Sequence, residues 1–126
     1  MKLRKAFTLV EILVVLIIVG LLASIVVVQV DSALTRAVTE KASTDVSMLN
    51  SAVTRWRASY PSIDFDAQVT ATAGSGDRSE AAFQLLRPFL GLPADITTLS
   101  QFGRETGKLF TYSYSTYQFS SVAVEG

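Results

Sequence analysis

The stretch from Phe7 to Val30 constrains this chain more than any other feature, because only Thr8, Glu11, Ser24 and Gln29 interrupt its apolar run. As a helix rising 1.5 Å per residue it is roughly 35 Å long, enough to cross a hydrocarbon core of about 30 Å. Ile12, Val14, Val15, Ile17, Ile18 and Val19 are β-branched and in water favour a strand. In lipid the backbone must satisfy its own hydrogen bonds, which selects helix. Lys2, Arg4 and Lys5 precede the run, so the positive-inside rule places that end in the cytoplasm and everything after residue 30 beyond the inner membrane. A secretory signal peptide also joins a basic start to an apolar core, but that core is shorter and ends in an A-x-A-like site. This run is longer and offers only Val30-Asp31-Ser32, so it reads as a single membrane-spanning helix.

Beyond Val30 polarity rises while a helical stripe persists through Leu34, Val38, Ala42, Val46, Leu49, Val53, Trp56 and Tyr60. Arg36, Glu40, Lys41, Asp45 and Arg55 form the expected solvated face between them. No Gly or Pro falls between Leu21 and Tyr60, which predicts one helix of about 50 residues stopped by Pro61. The expected division is a transmembrane segment 7–30 and a domain 31–126, the latter opening with an amphipathic helix 31–60. Residues 61–79 read as loop, with Gly74-Ser75-Gly76-Asp77 at its loosest point; the Gly-Lys-Ser/Thr of a phosphate loop does not follow. A short helix 80–87, capped by Ser79 and closed by Pro88, Gly91 and Pro93, comes next. A small antiparallel sheet is expected within 95–124, where Phe110, Tyr112 and Tyr114 alternate on one face and Tyr117 to Val124 supplies a second strand. Its aromatic face is expected to cover the stripe holding Trp56, since a lone hairpin is marginal in water. The fold class is α+β, a long N-terminal helix packed against a small antiparallel β-sheet.

The chain has neither cysteine nor histidine. That removes disulfides, thiol nucleophiles, the commonest general base and the commonest metal ligand, so no enzymatic activity, cofactor or metal is expected. Eleven basic and eleven acidic side chains balance, but three of the basic ones are Lys2, Arg4 and Lys5, leaving eight against eleven in the remainder. A mildly acidic domain is a poor partner for nucleic acid. Asp64, Asp66 and Asp77 lack EF-hand spacing and read as solvated loop charges. Tyr112, Tyr114, Tyr117 and Phe119 read as sheet packing before sugar or base platforms.

The segment Lys5-Ala6-Phe7-Thr8-Leu9-Val10-Glu11-Ile12, with Gly20 inside the span, resembles the type IV pilin and pseudopilin family in its basic leader, small residue, Phe-Thr-Leu-x-Glu and unbroken apolar helix. The resemblance implies a leader 1–6 removed by a prepilin peptidase between Ala6 and Phe7, and methylation of the new Phe7 amine. It further implies assembly with copies of itself and related subunits into a type II secretion pseudopilus or type IV pilus, through a platform protein and a cytoplasmic ATPase. Ala6 stands where most members have Gly, and Val28 where many have a kinking Pro, so the helix is expected to be straighter over 24–32. Glu11 would cost on the order of 3 kcal/mol at mid-bilayer and less near the edge. Cleavage supplies a partner, an amine with a pKa of about 8, on Phe7 of the same or a neighbouring subunit. Two rival readings are a membrane-tethered binding module, left uncut, and a DNA-uptake pilin, which requires Arg78, Arg87, Arg104 and Lys108 to converge.

Overall fold

The computed structural model describes residues 6–123. The chain forms two compact units, Met1–Ala37 and Val38–Gly126. Helix α1, Leu9–Ser59, runs through both, and Val28 lies in uninterrupted helix. In the first unit every large apolar side chain of α1 from Leu9 to Leu34 is exposed, because nothing in that unit stands beside the helix. Its hydroxyls are satisfied by their own backbone: Ser24 Oγ donates to the Leu21 carbonyl at 2.7 Å and Ser32 Oγ to that of Val28 at 3.1 Å. Both hydroxyls are thus paired within the helix itself.

The second unit is α+β. After α1 come α2 (Phe65–Ala73), α3 (Arg78–Leu90), α4 (Leu99–Phe102), β1 (Lys108–Ser113) and β2 (Gln118–Ala123). The two strands pair antiparallel, with Tyr112 opposite Phe119 and Phe110 opposite Ser121. One core takes Leu49, Ala52, Val53 and Trp56 from α1, Phe65 and Val69 from α2, Phe83 and Leu86 from α3, and Phe110, Tyr112 and Phe119 from the sheet. Rings link these elements: Trp56 to Phe65 at 5.0 Å, Phe65 to Tyr112 at 5.5 Å and Tyr112 to Phe119 at 5.1 Å. Each such side chain, fully buried, stabilises the unit by about 1.5–3 kcal/mol. Gly103 is required by this packing, since a Cβ there would lie 2.7 Å from the Phe110 ring.

Several expectations change. The stretch 61–79 contains α2, whose start is fixed by Asp64 accepting from the Asp66 N–H at 2.9 Å and whose end is Gly74 at φ 56°. The Gly-Ser cluster that reads as loop is the stop signal of this helix. Helix α3 begins earlier than 80 and is capped by Asp77, which accepts from the Ser79 N–H at 2.8 Å; Ser79 is not the cap, and its Oγ accepts from the Tyr112 N–H at 3.1 Å. Pro88 lies inside α3, which ends only at Leu90 and Gly91. A proline one turn from the end forfeits a single ladder bond, and burial of Leu86 and Leu90 carries the helix past it. Residues 95–107 hold α4 rather than strand, its start set by a capping box between Thr98 and Gln101. Tyr114 lies in the turn after β1, half-buried, its ring 5.4 Å from Tyr112 and beneath the Arg78 guanidinium at 5.0 Å.

Along α1 the buried positions are Ala42, Asp45, Leu49, Ala52, Val53 and Trp56. Leu34 and Tyr60 are exposed and Val38 and Val46 half-buried. Asp45, expected on the solvated face, is only 9% exposed. The helix turns 100° per residue, so the core stripe drifts across positions 42, 45, 49, 52 and 56, and 45 falls inside it.

Candidate processing and assembly site

The leader charges Lys2, Arg4 and Lys5 lie outside the described residues. Ala6, Phe7 and Thr8 precede α1 without regular structure and are exposed, Phe7 at 84%. The peptide bond between Ala6 and Phe7 therefore lies in open chain two residues before the first helical residue.

Helix α1 starts at Leu9 for a local reason. The Thr8 N–H donates to Glu11 Oε2 at 3.0 Å, and the Glu11 N–H donates to Thr8 Oγ1 at 3.3 Å. This reciprocal pair is a capping box, which satisfies two of the helix's orphan donors. Glu11 also sits in the first turn, where its negative charge faces the positive end of the helix dipole. By sequence Thr8 is named as part of the apolar run and the motif but given no capping role, yet Ser/Thr-x-x-Glu before an apolar run is a readable signature. Glu11 thus already has a partner in its own chain. The expected pairing with the Phe7 amine is a contact of the cleaved chain, because here the Phe7 nitrogen is a peptide nitrogen joined to Ala6.

In the second unit the acidic residues considered as loop charges are structural. Asp64 and Asp77 cap helices, and Asp66 accepts from the Tyr112 hydroxyl while lying 3.9 Å from Arg57 Nη2. Burial, then the hydrogen bond to Asp66, pushes the Tyr112 hydroxyl well above its usual range. Among the described residues no group of three or more His, Cys, Asp or Glu side chains gathers to hold a metal. Of the basic residues required to converge on DNA, Arg87 is spent on the Ile96 and Ala94 carbonyls at 3.2 and 3.4 Å, and Arg78 on Tyr114.

Two features have no counterpart in the sequence reading. Asp45 Oδ2 is buried with no hydrogen-bond partner. Burial raises the Asp45 carboxyl above the usual range, Lys41 opposes the rise and Glu105 adds to it, while Lys41 and Glu105 pair with each other. Tyr117 closes the turn into β2 at φ 56°, alone among the described non-glycine residues in that region. A left-handed conformation costs an L-residue about 1–2 kcal/mol. Its ring lies 5.9 Å from the Arg57 guanidinium, and an exposed cation–π contact returns about 0.5–1 kcal/mol. The contact does not offset the strain.

No curated protein and no solved structure matches the chain. Residues 1–27, however, match the family described as the prokaryotic N-terminal methylation motif. That motif is the signature of type IV pilins and pseudopilins, and it covers the basic first residues, the Ala6–Phe7 bond, the Thr8–Glu11 cap and most of the uncovered apolar helix. Over these residues the chain is similar to the N-terminal segment of prepilin-type proteins.

Proposed function

We propose that this protein is a structural filament subunit. It inserts once into the inner membrane with Lys2, Arg4 and Lys5 in the cytoplasm and the domain 31–126 in the periplasm. A prepilin peptidase removes residues 1–6 and the new Phe7 amine is methylated. The helix of residues 7–30 then leaves lipid for the core of a filament built from this chain and related subunits, a type II secretion pseudopilus or a type IV pilus, driven by the platform protein and ATPase of that machine. The observation that carries the reading is an apolar helix surface with no cover inside its own unit, headed by a single carboxylate at the motif's position. Lipid and a bundle of like helices are the two environments that cover such a surface.

Glu11 has two duties in this account, as cap within its chain and as anionic partner of a neighbour's Phe7 ammonium. Substituting Gln keeps an oxygen for the Thr8 N–H and removes the charge. Leaving an ammonium unpaired in a low-dielectric bundle costs roughly 3–5 kcal/mol, repeated at every added subunit. Cells expressing Glu11→Gln should therefore insert and process the chain but yield no sheared filament. Wild-type filament yield from this variant would remove Glu11 from the assembly contact, and loss of processing as well would place its role earlier.

A further inference from the structure

Tyr117 stands on a ridge between two recesses of the second unit. One, of about 490 Å³, is walled by Tyr60, Pro61, Ile63 and Tyr117 and carries Arg57 and Asp66. The other, of about 390 Å³, is lined by Ser51, Thr54, Arg57, Thr116, Tyr117 and Gln118. Both fall within the size range of ligand clefts. Arg57 and Tyr117 border both, so one guanidinium and one exposed ring serve each side.

The turn explains neither the residue nor its position. At φ 56° glycine or asparagine is the unstrained choice, yet the site holds a tyrosine that remains 52% exposed. Its ring is spread over Arg57 rather than packed in the core with Tyr112 and Phe119. A strained backbone that delivers a large exposed ring to the rim of two clefts is the pattern expected of a binding position. Arg57 itself lies 3.9 Å from the nearest Asp66 oxygen, too far for a hydrogen bond.

We propose that the Tyr117–Arg57 ridge binds a neutral oligosaccharide, one pyranose ring in each recess. Charge selects against anions, since Asp64 and Asp66 outnumber Arg57 in the larger recess, and this disfavours nucleic acid and acidic peptides. The weakly positive C–H face of a pyranose complements the negative face of the Tyr117 ring. Its hydroxyls find donors and acceptors in Arg57, Ser51, Ser62 and Gln118, the mixed set that a polyol requires. This inference does not depend on cleavage or assembly.

The test is saturation-transfer NMR on the full chain in dodecylphosphocholine, a detergent without a sugar headgroup, with maltotriose, cellotriose and chitotriose as probes and a thymidine dinucleotide beside them. Expected is transfer to the ring protons of at least one trisaccharide and none to the dinucleotide. Tyr117→Gly and Tyr117→Asn should weaken that binding about tenfold while melting no lower than wild type, because both relieve the left-handed strain. Arg57→Gln should weaken it as well. Absence of transfer to all three sugars, transfer that survives both Tyr117 substitutions, or transfer to the dinucleotide in their place would each overturn the proposal.

Discussion

Thr8 and Glu11 set where α1 begins, and with it how far the Ala6–Phe7 bond stands from regular structure. Their two reciprocal bonds are of the kind whose loss costs a helix about 1 kcal/mol, equivalent to roughly fivefold in a local opening equilibrium. Thr8→Ala in lipid nanodiscs should therefore speed amide exchange at Glu11 by about fivefold, measured by hydrogen–deuterium exchange, and leave exchange beyond Gly20 unchanged. Unchanged exchange at Glu11 would show that the cap contributes nothing in lipid. The Glu11 carboxylate was legible in the sequence as an expensive charge needing a partner. Its partner inside the chain was equally legible, because Thr8 stands three residues before it, but the weight given to the charge hid the cap. Asp64 and Asp77 behave alike: each reads as a loop charge, and each is the cap that starts a helix.

At the scale of elements, the sheet is tied at its two outer edges, to α1 on one side and to α3 on the other. Asn50 donates from its amide to the Phe119 carbonyl at 3.3 Å and accepts from the Phe119 N–H at 2.7 Å, acting as a one-residue third strand, while Ser79 accepts from Tyr112 on the opposite edge. Asn50→Ala leaves both Phe119 groups part-buried without their partner, at about 1–3 kcal/mol, and should lower the melting temperature by on the order of 10 °C. A change within error would mean that water replaces the amide. Asp45 gives a second test, through pH. Its carboxyl is raised in the folded state by burial, so the charged form opposes folding; that penalty is absent below the unfolded value near 3.8 and grows as pH rises above it. Relative to wild type, Asp45→Asn should thus gain in melting temperature on going from pH 4 to pH 7, measured by calorimetry. An equal difference at both pH values would contradict the burial account. Helix period and strand alternation were readable at this scale, whereas α2 and α4 were not, because nine and four residues are too short for a 3.6-residue period to stand out against neighbouring glycines.

For the whole molecule, the division of labour follows from where apolar surface is covered. In the unit Val38–Gly126 the core is closed by its own rings, with Trp56 at 4% exposure, whereas the apolar residues 9–30 have no cover of their own. A chain beginning at Asp31 should accordingly be soluble and monomeric, melt cooperatively, and show blue-shifted Trp56 emission that moves red on melting. Emission already at the water-exposed limit would refute the packing of sheet on helix. The long helix and the α+β class were visible from composition and period alone, since both rest on patterns tens of residues long. The clefts beside Tyr117 were not, because they arise from residues 50–66 and 116–118 meeting only in the folded chain.

Whether the proposed processing at the Ala6–Phe7 bond takes place is decided by the mass of the N-terminus. Protein recovered from its native membranes and digested should yield an N-terminal peptide that begins at Phe7 and carries one added methyl group on its amine. Recovery of an N-terminal peptide still containing Met1 and the leader, from cells with an active prepilin peptidase, would contradict it and leave the chain as a membrane-tethered domain.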